Sequence, residues 1–110
     1  MKKEKEKEKL SKHIINDREK RCVWIATEVG FGEIIDTITI YDSERGHRRV
    51  ELYATGVAKI KAMNENFVIT MYLPTPRQLI KWYGSKNSVP IRLLNISKRN
   101  EKRGWAEDDF

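Results

Sequence analysis

Between Val50 and Leu73 apolar and polar residues alternate in three short runs. Val50, Leu52 and Ala54 alternate with Glu51, Tyr53 and Thr55, and Gly56 ends the run. Ala58, Ile60 and Ala62 then alternate with Lys59 and Lys61. After the turn residues Asn64-Glu65-Asn66, Phe67, Ile69, Met71 and Leu73 alternate with Val68, Thr70 and Tyr72. A period of two places each set on its own face of a strand. Connections this short join neighbours, so the pattern predicts an antiparallel meander. A chain of 110 residues with 39% apolar content can cover such a sheet with one small core. Two domains, a repeat solenoid or a large enclosed cavity are not expected.

The flanking segments complete the predicted fold. Leu10, Ile14, Arg18, Arg21, Cys22, Ile25 and Val29 recur at spacings of three and four, which predicts a helix over 10–29 stopped by Gly30. His13, Asp17, Arg21 and Trp24 share one side of it. Residues 33–41 are rich in β-branched side chains and read as a strand, although Ile34, Ile35 and Ile38 also fit a helical stripe. Asp42 to Arg48 reads as a polar turn around Gly46. Thr75 and Pro76 open a second helix that Gly84 closes. Val89–Ile96 reads as a last strand, placed at an edge by Pro90. The class is α+β: an N-terminal helix, a curved antiparallel sheet of four to five strands and a short C-terminal helix. Residues 1–9 read as a charged flexible tail, 10–96 as one domain and 97–110 as a charged C-terminal tail.

Charge is unevenly distributed. The formal net charge is +6. Residues 77–103 hold eight basic residues and one acidic residue, and the near-neutral middle, 22–76, holds five and seven. A basic segment attracts polyanions and releases their counterions, so nucleic acid is the expected partner. Trp82 and Tyr83 lie in the basic stretch, where aromatic rings can stack on bases. Solvated lysines that keep a small domain soluble are the competing explanation.

Most active-site chemistries lack support. No Gly-rich phosphate loop, no Gly-x-Ser-x-Gly and no Cys–His pairing is present. His13 and His47 have no partners at ligand spacing, so neither a metal nor another cofactor is expected. The single cysteine, Cys22, can form neither an intramolecular disulfide nor a Cys-based zinc site, which fits a reducing cytoplasm. No apolar run approaches the roughly 20 residues of a membrane span. No secretory signal is read at the N-terminus. Metal-free phosphodiester cleavage remains open, because a base, an acid and cationic donors suffice when a ribose 2′-hydroxyl attacks its own phosphate.

The order of features resembles the small metal-independent nucleases grouped around barnase, the EndoU endonucleases, the colicin toxins and the RelE toxins, many of whose phage-encoded members are short. The resemblance rests on the helix Ser11-Lys12-His13-Ile14-Ile15-Asn16-Asp17-Arg18-Glu19-Lys20-Arg21, the strands after it, and the strand Phe67-Val68-Ile69-Thr70-Met71-Tyr72. It spans roughly residues 11–73. It implies His13 as general acid or base, Arg18 or Arg21 on the scissile phosphate, and Thr70 and Tyr72 as donors to phosphate oxygens. Lys59 and Lys61 would line the groove. His47, Arg48 and Arg49 form a second candidate cluster on a loop. Arg77, Lys81, Trp82 and Arg92 join Arg18, Lys59 and Lys61 as nucleic-acid contacts, with RNA ahead of DNA as the ligand. Two alternatives stand beside a phage-type ribonuclease. One is a non-catalytic nucleic-acid-binding protein using 77–103. The other is a phage or prophage accessory protein acting through a protein partner or inhibitor, without membrane contact.

Overall fold

The computed structural model describes residues 13–43, 46–63 and 67–108. Helix α1 (His13–Trp24) runs into a π-helical turn, Ile25–Val29, and four strands follow: β1 (Ile34–Asp42), β2 (Gly46–Tyr53), β3 (Ala58–Ala62) and β4 (Val68–Tyr72). Helix α2 (Pro76–Tyr83), a 3-10 turn at Lys86–Ser88 and helix α3 (Ile91–Lys102) complete the chain. The strands pair antiparallel in the order β1-β2-β3-β4. This α+β meander is the architecture that the alternating runs predict. Register shifts at Ile34/Asp36 and Ile60/Lys61 break the ladder locally, as bulges that bend a sheet do.

Each face of the sheet has its own apolar cluster. On the inner face Val50, Leu52, Ala58, Ile60 and Tyr72 meet Leu79 of α2 and Leu93 and Leu94 of α3, all buried. Fully burying a Leu or Ile contributes about 1.5–3 kcal/mol, so this layer dominates the stability. On the opposite face, at one end, Ile25, Tyr53, Val57 and Leu73 form a smaller cluster with Trp24, Val29, Phe31 and Met71. It ties α1 to the sheet.

The predicted signals around Pro76 act as expected. The Thr75 hydroxyl accepts the Gln78 N–H, Pro76 takes the first turn, and Gly84 ends α2 at φ 94°. Other expectations are corrected. The first helix leaves α-geometry at Ile25, and the Gly30 N–H closes the wider turn on the Ile25 carbonyl at 2.7 Å. Strand β2 begins at Gly46, so His47, Arg48 and Arg49 are strand residues and not part of a turn. The segment 89–96 is not a strand: α3 starts at Ile91 and continues through the predicted tail to Lys102, leaving a sheet of four strands.

Residues 97–108 are also held by side chains and main chain. The Ser97 hydroxyl donates to the Pro74 carbonyl at 2.8 Å, and the Asn100 amide to the Thr55 carbonyl at 3.0 Å. The Glu107 N–H donates to the Leu73 carbonyl at 2.8 Å, and the Asp108 carboxylate receives the Thr75 hydroxyl at 2.6 Å. Gly56 makes room for this packing. Its φ is +96°, and a Cβ there would lie 2.4 Å from the Asn100 amide nitrogen.

Candidate nucleic-acid interface

Three of the four residues predicted to act on a phosphate converge. Arg21 Nη2 donates to Thr70 Oγ1, Nε to the Met71 carbonyl, and Nη1 to Glu107 Oε2, each at 2.8 Å. The guanidinium also lies 5.4 Å from the Tyr72 ring centroid. Every nitrogen of the fork is thus engaged, one of them with a carboxylate. Thr70 and Tyr72 are 1% and 0% exposed. The Tyr72 hydroxyl donates inward to Gln78 Oε1 at 3.2 Å. Neither hydroxyl has a surface from which to touch a phosphate, because both face the packed side of the sheet. The cluster is a clasp between α1, the free edge of β4 and the chain after α3. The side chains of His13 and Arg18 lie outside the described residues.

The sheet lysines are also committed. Lys61 pairs with Glu51 at 3.2 Å, both largely buried, and Glu51 receives the Tyr53 hydroxyl at 2.8 Å. Lys59 Nζ stands 4.7 Å from the Phe31 ring centroid and 5.2 Å from that of Tyr53. Burial pushes the Glu51 carboxyl up. The hydrogen bonds from Tyr53 and Lys61 and the charges of Lys61 and Lys59 outweigh that, and it ends below its ordinary value. Burial, the bond to Glu51 and the Glu51 charge push the Tyr53 phenol up to about 12. The patch is therefore internally compensated. Farther along the same face His47 packs edge-on to Tyr41, with 5.1 Å between centroids.

The helices present a different surface. Buried Leu93, Leu94, Ser97 and Asn100 define the inner side of α3. Arg92, Asn95, Arg99 and Lys102, at spacings of three and four, lie on the outer side with Lys98 beside them, and all are exposed. No carboxylate interrupts that row; Glu101 lies at its flank. The row spans about 15 Å of helix axis at about 1.5 Å per residue. Arg92 meets Glu33 at 2.6 Å, but both ends are mostly exposed, so water screens the pair. Arg103 stacks on Trp105 at 4.3 Å. On the neighbouring α2, Arg77 and Lys81 are exposed one turn apart. Trp82 is turned inward, edge-on to Tyr72 at 6.2 Å, and the Tyr83 hydroxyl donates to Asp36 at 2.5 Å. The rings predicted to stack on bases are therefore packing groups.

Lys98, Arg99 and Lys102 fall in the basic stretch 77–103 but are not singled out by the sequence, because 97–110 reads as tail. The signal that finds them is the spacing Leu93, Leu94, Ser97, Asn100, followed by Gly104 as a stop. A depression of about 420 Å³ along α1 and the π-helical turn, lined by Glu19, Lys20, Val23, Trp24, Thr27 and Glu28, carries both signs of charge. Arg21, Thr70 and Tyr72 do not line it. Among the described residues no helix is long and apolar enough to cross a membrane.

Comparison with known proteins returns no match: no family model, no curated protein and no solved structure is significantly similar to the chain.

Proposed function

We propose that the chain binds nucleic acid without cleaving it, through the outer face of α3 with α2 beside it. The observation that carries this reading is one exposed face of α3 on which Arg92, Arg99 and Lys102 stand in a row through Asn95, with Lys98 beside them and no carboxylate of the helix among them. At about 3.4 Å per phosphate along a strand, a row of about 15 Å matches roughly four phosphates. Contacts of this kind hold a backbone and carry no base readout, so binding is sequence-tolerant and salt-dependent. The clasped Arg21 and the buried Thr70 and Tyr72 weigh against phosphodiester cleavage, which needs donors that reach the substrate.

The test is fluorescence anisotropy with labelled RNA and DNA of one random sequence, titrated at rising salt in EDTA. Binding that weakens log-linearly with salt, with the RNA recovered intact, is expected. Salt-independent binding, no binding at low salt, or RNA fragments lost in Thr70→Ala would overturn the reading.

A further inference from the structure

The two edges of the sheet are unlike. Arg21 bonds the outward Met71 carbonyl of β4, and α1 packs along that strand. Along β1, no strand other than β2 pairs among the described residues, and the Tyr83 hydroxyl of α2 reaches Asp36 at its start. The phase of the ladder shows which groups β1 turns outward. Tyr53 donates its N–H to the Val57 carbonyl, so Tyr53, Glu51 and Arg49 direct their main chain toward β3. Leu52, Val50 and Arg48 therefore direct theirs toward β1, where they pair with Asp36, Ile38 and Ile40. Thr37, Thr39 and Tyr41 are left facing away from the sheet. The Thr37 N–H is held by its neighbour Asp36 Oδ1 at 2.9 Å, as an outward amide would be.

The bulge at Ile34/Asp36 and the inward Asp36 guard the start of this edge, but the run after them lacks further protection. Natural edge strands carry Lys or Pro, or are very short. The run Thr37-Ile38-Thr39-Ile40-Tyr41 has neither residue, and β1 is nine residues long. Tyr41 is 66% exposed and Ile34 49%, both at this edge.

We infer that β1 is a homodimer interface, on which a second copy of this chain pairs antiparallel to extend the meander into one continuous sheet across a two-fold axis. With the β4 edge taken by Arg21 and α1, a copy cannot add β1 to β4, and open-ended growth is blocked. Isologous pairing of β1 with β1 remains, and it closes as a dimer. The charge pattern of the strand selects the register. An axis at Ile38 sets Thr37 of one copy opposite Thr39 of the other, so the Thr39 N–H bonds the Thr37 C=O across the seam, and the Thr37 N–H exchanges its Asp36 partner for the Thr39 C=O. It sets Asp36 opposite Ile40. An axis at Thr39 would set Asp36 opposite Asp42, two like charges at the closest approach of the strands. On the inner face, half-buried Ile38 gains cover from its counterpart. A two-fold axis normal to the sheet keeps the same face on the same side, so both α3 helices would flank the seam together. The dimer does not depend on nucleic-acid binding.

Sedimentation velocity of the full chain without nucleic acid, over roughly 1 to 100 µM, tests this. A concentration-dependent dimer is expected. Thr39→Pro removes an N–H that only the second copy would use, so it should yield a monomer with unchanged circular dichroism. Thr37→Lys/Thr39→Lys alters only exposed side chains and sets lysines opposite each other in the predicted register. It should weaken association roughly tenfold or more, and it decides the matter if the proline variant unfolds. A wild-type monomer throughout the range, or a dimer that persists in the folded double-lysine variant, overturns the inference.

Discussion

The guanidinium of Arg21 lies 2.8 Å from the hydroxyl of Thr70, 49 residues away in sequence, and the bond closes the free edge of β4. Two residues whose types suggest phosphate handling instead hold the first helix to the last strand. Arg21→Ala would leave the buried Thr70 hydroxyl and the Met71 carbonyl without this donor. A loss of about 2–4 kcal/mol is expected in urea denaturation. Arg21→Lys should recover only part of it, since one ammonium cannot span three acceptors set around a planar fork. Glu107→Gln, at a half-exposed partner, should cost about 0–1 kcal/mol.

Gly56 and Asn100 form a second constraint. An alanine at 56 meets both a left-handed backbone and a Cβ placed 2.4 Å from the Asn100 amide. Gly56→Ala should lower stability by about 2 kcal/mol or more. The two causes separate in a double-mutant cycle. Asn100→Ala removes the clash but not the strained φ, so Gly56→Ala should cost less in that background. Equal costs in both backgrounds would show that the steric contact is relieved without effort.

The sheet is legible in the sequence because one face of each strand is buried and the other is not, so Val50, Leu52 and Ile60 alternate with Glu51 and Lys59. Helix α2 is legible through local chemistry, in Thr75-Pro76 and Gly84. Helix α3 is not. Val89 and Ile91 are β-branched and read as strand, and two of its four buried positions are polar. Ser97 and Asn100 are buried because the Pro74 and Thr55 carbonyls receive them, and those acceptors lie 23 and 45 residues away. No local pattern contains such partners. For the same reason the sequence shows that 77–103 is basic but not that its cations share one face of α3. Arg21, Thr70 and Tyr72 do lie together, but their burial depends on α1 and the chain after α3 crossing the β4 edge, which composition and spacing do not encode.

The Tyr53–Glu51 pair predicts a dependence on alkaline pH. An unfolded tyrosine loses its proton near 10, and Tyr53 in the fold near 12. Between those values the unfolded chain holds fewer protons, so stability is full below pH 10 and falls as pH rises through 12. Tyr83 is raised in the same direction by burial and by Asp36. Tyr53→Phe should therefore flatten part of the alkaline slope of thermal stability, and Tyr53→Phe/Tyr83→Phe more of it. Glu51 has the opposite sign. Its lowered pKa contributes stability above about 4.5 that is lost as pH falls below it. Glu51→Gln should remove that acid-side slope and leave the Tyr83 contribution in place.

The two groups of cations should differ in salt response if α3 is the contact surface. Lys61 already meets Glu51, and Lys59 lies over two rings. Lys98, Arg99 and Lys102 are exposed in a row without a carboxylate. Each cation that releases a counterion contributes about 0.7 to the slope of log affinity against log salt on single strands, and about 0.9 on duplexes. Arg99→Ala/Lys102→Ala should thus lower the slope by about 1.4 on single strands and weaken all sequences alike. Lys59→Ala/Lys61→Ala should leave the slope unchanged while lowering thermal stability, because those side chains serve the sheet. The reverse pattern would move the contact surface from the helices to the open face of the meander.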